Sequence, residues 1–502
     1  MARGEAANHR PPSHGGEPDR RDRLIVLLLT ALALAARLPR LGGDLWIDEI
    51  ATVENFVRIP FSAIVTTYLS ANQHVLYSVL AHASIAAFGE TSWALRLPAL
   101  LFGVASVPAL YFLARAIGPR REAIAASILL AVSYHHAYFS QSARGYTGYL
   151  FFSILSTAYL VRALAPGTTR DWAGFAAASV GNLYMHLNGA FLLAGQVAGA
   201  VVFHVARESR RAGRAEGARL ARRLAVALGA IAVVAGALYA PIVASMFEFF
   251  TTADRNVGWT PSFELVRVIL RDAAPGRLAL AALALAIPVG VAGLASVART
   301  APLIPVVMFL PILLGLSAVI TMGVGTYPRF FIGLLPFGIL VAVRGLAVVA
   351  EAGARAVASA PGRRERIARR AFVGLLACAA LGAASGLPRL YALPKQDYTG
   401  ALAFVRAERA SGDLVAAAFT ATTGACYYDP AILRARGPAD LEEILSRGAP
   451  VWLVGTFLAD LRVREPALAA LIDARFGEAR RFPGLVGDGA VVVWRSREPS
   501  AP

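Results

Sequence analysis

Two adjacent carboxylates, Asp48 and Glu49, lie in the run Leu45-Trp46-Ile47-Asp48-Glu49, just after the first apolar stretch of the chain. Adjacent acids in a loop can act as a general base and a neighbour that orients it or raises its pKa. The same pair suits the first turn of a short helix over 50–56, where acids complement the helix N-terminus. Spacing alone leaves both readings open, with capping ahead. A second cluster follows in Tyr134–Tyr146, which holds His135, His136, Gln141 and Arg144. Tyr184, His186 and Asn188 close another apolar stretch, and Gly325-Thr326-Tyr327-Pro328-Arg329-Phe330 joins two more. A guanidinium at the end of a membrane span is costly unless paired, and its planar fork holds phosphate well. For Arg144 and Arg329 the competing reading is snorkelling, or a pair with a carboxylate such as Asp48. Arg37 reads as the structural partner of an acidic group, and Trp46 as an anchor at the membrane interface.

Other chemistries find little support. His135 and His136 are adjacent, so on a helix they point about 100° apart and do not readily face one ion. No metal-ligand spacing of His and Cys is present, and His74 and His186 read as hydrogen-bonding groups. A divalent metal has no support from ligand spacing, and no cofactor is expected. There is no phosphate-binding glycine loop and no serine nucleophile elbow. Cys378 and Cys426 fall in different environments and are not expected to pair.

The elements that must position these residues are membrane helices. Of 502 residues 57% are hydrophobic and only 16% charged, and the mean hydropathy is +0.57. A soluble domain carries about a quarter charged residues. The apolar content comes in runs near the ~20 residues that cross a bilayer as helix. The net charge of +17 is then a matter of topology rather than of nucleic acid, because the arginines gather in short loops. Nearly all of it is guanidinium, since Lys395 is the only lysine.

Residues 1–23 read as a disordered cytoplasmic tail. The run 24–41 reads as an uncleaved first span. Further spans are expected over 94–117, 121–138, 146–163, 172–187, 189–206, 224–246, 277–298, 302–322, 330–350 and 371–388, about eleven in all. Arg120 and Arg121, Arg299, seven arginines in 207–223 and six in 355–370 then share the cytoplasmic side with the N-terminus. Segment 74–89 is apolar but short; a crossing there would turn the basic loops outward, so it reads as a helix in the outer interface. Residues 42–93 and 247–275 become outer loops. Residues 389–502 form an outer α/β domain, with strand-like runs at 414–419, 451–454 and 490–494 between helix-like stretches at 397–411, 438–447 and 465–475. All four polar clusters then meet at the outer face.

These residues resemble a known family. Trp46-Ile47-Asp48-Glu49 after the first span resembles the W-x-D-E of the GT-C glycosyltransferases, in the bacterial branch near the protein O-mannosyltransferases and lipid A aminoarabinose transferase. Gln73-His74, Phe88-Gly89 and Ala94–Gly103 are similar to that branch's stretch after the first outer loop. Ser140-Gln141-Ser142-Ala143-Arg144-Gly145-Tyr146 is similar to its S-Q-x-A-R-x-Y signature, and Tyr327-Pro328-Arg329-Phe330-Phe331 to its late aromatic-Arg motif. The likeness runs over about 25–420. His74-Val75-Leu76 stands where the family often has H-P-P, and no acid occurs in 134–150.

The resemblance implies a GT-C transmembrane domain over 24–388, with 42–93 as its catalytic loop. It implies transfer of a sugar from a polyprenyl-phosphate donor to a lipid, glycan or protein acceptor at the outer face of a bacterial cytoplasmic membrane. Asp48 would be the base, with Glu49 beside it. His74, Gln141, Arg144, Tyr146, Tyr327 and Arg329 would bind the substrate and its phosphate. A secondary transporter or lipid-linked-sugar flippase is the main rival, and would call for charged or broken helices near mid-membrane and repeated halves. A catalytically dead scaffold is the third reading.

Overall fold

The structure, a computed structural model, describes residues 19–70, 72–165, 167–252, 277–322 and 328–497. The tail before Asp19, most of the expected loop 247–275, and Tyr327 lie outside the described residues. Helix begins earlier than hydropathy suggests. α1 (Arg20–Ala35) starts where Asp19 accepts the Asp22 amide at 2.7 Å, and Arg120 pairs with Asp19 and Asp22 at 2.7 and 2.9 Å. Arg20–Arg23 is therefore capped helix rather than tail.

The first helices alternate in direction. α1 runs from Asp22 to the loop that carries Arg37, and α6 (Arg120–Val132) runs the same way. Between them α5 (Ser92–Ile117) returns, from Arg96 at one end to Tyr111, whose hydroxyl donates to Asp22 Oδ1 at 2.5 Å, at the other. α8 (Tyr146–Leu164) packs on α5 and on α9 (Thr169–Met185). α10 (Gly189–Ala200) is bound to α8 by Gln196, whose Nε2 donates to Ser156 Oγ and Thr157 Oγ1 at 2.8 and 2.9 Å. Such interhelical hydrogen bonds do for apolar helices what hydrophobic burial cannot do inside a bilayer. Helices Arg277–Thr300 and Leu335–Val357 meet at Gly293 and Gly345, where an added Cβ would strike the facing backbone.

Six helices among the described residues are long and apolar enough to cross a membrane: Ser92–Ile117, Tyr146–Leu164, Gly189–Arg210, Arg214–Tyr239, Arg329–Val357 and Pro361–Ala392. α1, α6 and α9, which hydropathy also counts as spans, have 16, 13 and 17 residues. Ala286–Thr300 and Leu303–Ala318 meet at a bend of 117°. The expected span 121–138 is broken at Ser133, whose hydroxyl caps a separate short α7 (Tyr134–Ser140) by accepting the His136 amide at 3.4 Å. The 74–89 segment is α4 (Val75–Phe88), 14 residues or about 21 Å of helix.

Residues 414–496 hold a five-stranded mixed sheet in the order β2-β1-β3-β5-β4. β1 (Leu414–Ala418) pairs in parallel with β2 (Leu433–Ala435) and β3 (Val451–Gly455), and β5 (Val491–Ser496) runs antiparallel to β3 and to β4 (Phe476–Phe482). The three strands expected from the sequence are the central ones. Their apolar runs are buried on both faces, as central strands between helices require.

Candidate active site

Asp48 and Glu49 open α2 (Ile47–Thr52), a short helix in the loop after α1. Consecutive helical residues point about 100° apart, so the two carboxylates part company. Glu49 turns into the protein and is wholly buried. Arg96 Nε and Nη2 grip its two oxygens at 2.8 and 2.7 Å. The Ala143 and Trp46 amides donate to it at 2.5 and 3.2 Å, and Lys395 Nζ stands 3.5 Å away. Burial alone would raise its pKa, but the charges of Arg96 and Lys395 and these hydrogen bonds hold it down at about 2. The Trp46 contact is half of a capping box, so the capping reading is realised for Glu49. Its oxygens are all engaged, which leaves no free lone pair for a substrate proton.

Asp48 keeps about a quarter of its side chain exposed and pairs with Arg329 Nη2 at 3.3 Å. Arg329 enters on a 3-10 turn, Pro328–Leu334. That turn is fastened to the start of α10 (Gly189–Ala200), because Asn188, its N-cap, donates from Nδ2 to the Phe330 carbonyl at 2.9 Å.

Arg144 lies beneath, with only 1% of its surface exposed. It donates to the Asp48 carbonyl and to Thr52 Oγ1, both at 3.3 Å, to His74 Nε2 at 3.0 Å, to Tyr146 Oη at 3.4 Å and to Asn72 Oδ1. Its guanidinium also lies over the Tyr146 ring. Among the described residues Arg144 has no carboxylate partner, so a buried positive charge here is met only by neutral acceptors. Because Arg144 donates to His74 Nε2, the proton of His74 sits on Nδ1 and points to the Met185 carbonyl at 3.2 Å. Burial and the Arg144 charge keep His74 neutral, its pKa well below the usual histidine range. The His186 ring closes on those of His74 and Tyr146. Gly145 is required beside them, since a Cβ there would fall 2.8 Å from His74 Nδ1.

The structure thus brings Asp48, Arg329, Arg144, His74 and Tyr146 together. Gln141 departs from its expected role: its Nε2 donates to the Arg37 and Pro39 carbonyls at 2.9 and 2.6 Å, so it braces the loop after α1 rather than facing substrate. Arg37 also differs from expectation. Instead of an acid it meets the carbonyls of Ala33, Leu130 and Ala131, together with Ser140 Oγ and His136 Nδ1. Those carbonyls end α1 and α6, where the helix dipoles are negative, so two helix C-termini serve as the counter-charge. Trp46 is buried rather than an interface anchor.

Two residues of the site escape a reading by motif. Arg96 is a lone charge in an apolar run, which was its signal. Lys395, the only lysine, is buried with its ammonium donating to the Gln141 carbonyl at 2.6 Å and to Ser142 Oγ at 2.7 Å. Burial pulls its pKa down to about 7 against the raising effect of Glu49. No group of three His, Cys, Asp or Glu side chains converges as a metal site among the described residues.

The model of the dolichyl-phosphate-mannose-protein mannosyltransferase family matches residues 73–237. No protein of curated function matches the chain by sequence. Among solved structures, ArnT from Cupriavidus metallidurans in the apo state matches with a TM-score of 0.53 at 15% identity, over 94% of this chain and 97% of that one. ArnT bound to undecaprenyl phosphate matches with a TM-score of 0.50 at 14% identity, over the same 94% and 97%. The oligosaccharyltransferase of Archaeoglobus fulgidus, in complex with Zn and sulfate, matches with a TM-score of 0.50 at 12% identity, over 93% of this chain and 72% of that one.

Proposed function

The chain has the GT-C glycosyltransferase fold, and on that premise we propose that it is a membrane glycosyltransferase. It takes a mannose-like or other hexose or pentose from a polyprenyl-phosphate donor and gives it to an acceptor hydroxyl or amine on a lipid, glycan or protein. The reaction lies at the outer face of a bacterial cytoplasmic membrane, with the N-terminus cytoplasmic and residues 389–502 outside. The observation that carries this reading is a partly exposed carboxylate, Asp48, held by Arg329 directly above a buried guanidinium, Arg144, that has no acidic partner among the described residues. These groups supply the two things a phosphate-leaving displacement needs, a base and positive charge for the departing phosphate. ArnT, which shares the fold, has been crystallised with undecaprenyl phosphate.

In this mechanism the acceptor oxygen or nitrogen attacks the anomeric carbon as Asp48 takes its proton. The bond from that carbon to the phosphate oxygen breaks, the centre is oxocarbenium-like in the transition state, and the configuration inverts. Polyprenyl phosphate departs with added negative charge. Arg329, with Arg144 behind it, stabilises that charge, while His74 and Tyr146 fix the Arg144 fork. Arg329 exchanges Asp48 for the phosphate when donor arrives, which leaves the carboxylate free as base. Glu49 is a positioning group in this scheme. Tyr327 is retained as a substrate contact on the motif alone. A transporter fits less well, since the buried charges Arg37, Arg96, Arg144, Glu49 and Lys395 gather at one end of the bundle rather than at its middle.

Purified protein in nanodiscs, given labelled polyprenyl-phosphate mannose, glucose, galactose or arabinose with candidate acceptors, is expected to release polyprenyl phosphate. Asp48→Asn should lower that release by about 10²–10⁴, the ordinary yield of a general base, while donor binding persists. Release unchanged in Asp48→Asn would remove Asp48 as the base, and no donor binding to wild type would remove the polyprenyl-phosphate donors tried.

A further inference from the structure

Asp48 sits between two residues that are held from the same side. The Ile47 amide donates to Gln396 Oε1 at 2.9 Å, and the Glu49 carboxylate faces Lys395 Nζ at 3.5 Å. Two residues upstream of Ile47, the Leu45 amide donates to Tyr428 Oη at 2.7 Å. Thr399 adds its amide and hydroxyl to Asp44, at 2.9 to 3.1 Å. Every one of these partners belongs to the outer part of the chain, from 349 residues away for Gln396 to 383 for Tyr428 among the hydrogen-bonded amides. The Ile47 amide is one of the first amides of α2, which a helix cannot satisfy from within. The outer domain supplies the missing acceptor.

The grip is itself built on the outer domain's core. Gln396 is fully buried, and its Nε2 donates to Thr456 Oγ1 at 3.0 Å, at the end of β3, which fixes the side on which Oε1 is presented. The Pro394 and Lys395 carbonyls accept the Leu485 amide at 3.0 and 3.1 Å, from the loop before β5. Lys395 then reaches back to the 141–142 turn that leads into Arg144. Tyr428 ends the helix Ala421–Tyr428, and its ring stacks on Tyr398.

We infer that the outer domain is the template of the catalytic loop, with Gln396, Lys395 and Tyr428 acting as positioning residues that set where Asp48 stands relative to Arg329 and Arg144. This rests on the reading of Asp48 as base. None of the three touches a substrate in this scheme; they act through Ile47, Glu49 and Leu45. A domain present only to bind acceptor would have no need to satisfy the amides that lead into the base and to pair with the carboxylate that follows it.

The test uses the full chain in nanodiscs, with Gln396→Leu, Gln396→Glu and Tyr428→Phe beside wild type and Asp48→Asn. Gln396→Leu should speed amide exchange over 44–50 at least tenfold while 414–418, 451–455 and 491–496 keep their protection. It should lower kcat at least tenfold with donor KM within twofold, and Gln396→Glu, which keeps an acceptor oxygen, should restore both to within threefold. Tyr428→Phe, which keeps the ring and loses only the acceptor, should expose the Leu45 amide and so decides the matter if Gln396→Leu does not fold. Unchanged exchange over 44–50 in both Gln396→Leu and Tyr428→Phe overturns the template, as does a fall in kcat matched by loss of protection throughout the outer sheet. Full activity in Asp48→Asn instead overturns the base assignment, and the exchange data still judge the clamp.

Discussion

Replacing Glu49 with Gln removes one negative charge from a pocket that keeps Arg96 and Lys395, both fully or almost fully buried. The fold holds this carboxylate at about 2 rather than its ordinary 4.5. At about 1.4 kcal/mol per pH unit, that preference for the ionised form is worth about 3 kcal/mol. Loss of one partner from a buried ion pair costs about 3–5 kcal/mol by comparison, so the two figures agree in size. The sign follows from the lowered pKa. The contribution is complete above about pH 5, where the carboxylate is ionised folded or unfolded, and it is lost as the pH falls from 4.5 towards 2. Unfolding by SDS in mixed micelles, read by tryptophan fluorescence, is therefore expected to show Glu49→Gln about 3 kcal/mol less stable than wild type at pH 7. That gap should shrink to less than about half by pH 3. A variant within about 1 kcal/mol of wild type at pH 7, or a gap that does not change with pH, would refute the reasoning, and would return Glu49 to candidacy as a chemical participant beside Asp48.

Arg37→Lys should destabilise the protein by about 2 kcal/mol or more in the same assay, because one ammonium cannot reach the five acceptors that the guanidinium serves at the ends of α1 and α6; stability equal to wild type would sink that account. Gly145→Ala should push the His74 ring off Arg144 and weaken binding of polyprenyl phosphate about tenfold, or about 1.4 kcal/mol. Because the effect passes through His74, a double variant with His74→Ala should cost no more than His74→Ala alone, and additive losses would show that Gly145 acts elsewhere.

Glu49 shows most sharply where the sequence stops. Asp48 and Glu49 are chemically alike and adjacent, and no pattern of neighbours says which faces the substrate. One step of helix turns them apart, and the identity of the buried one depends on Arg96, Ala143 and Lys395 being present on its side. The place of Gln141 was hidden for the same reason, since its amide nitrogen donates to the carbonyls of Arg37 and Pro39 across more than 100 residues of chain. β4 escaped notice because its residues between Phe476 and Phe482 are charged or small and largely exposed, as an edge strand allows, and β2 because three residues carry no period.

What the sequence determined by itself is what local patterning encodes. Runs of apolar residues fix membrane helices, and short apolar runs fix the three central strands of the sheet over 414–496. The resemblance to a known family pointed to Asp48, Glu49, His74, Gln141, Arg144, Tyr146, Tyr327 and Arg329, and of these Asp48, His74, Arg144, Tyr146 and Arg329 lie together in the structure. Only the tertiary structure decided which of two carboxylates is wholly buried and which stays partly exposed beside Arg329, that two helix ends rather than an acid neutralise Arg37, and that the chain's single lysine closes the loop of the proposed base. Each of these is a matter of direction and of partners distant in sequence, and a buried charge takes its role from the partners the fold brings to it.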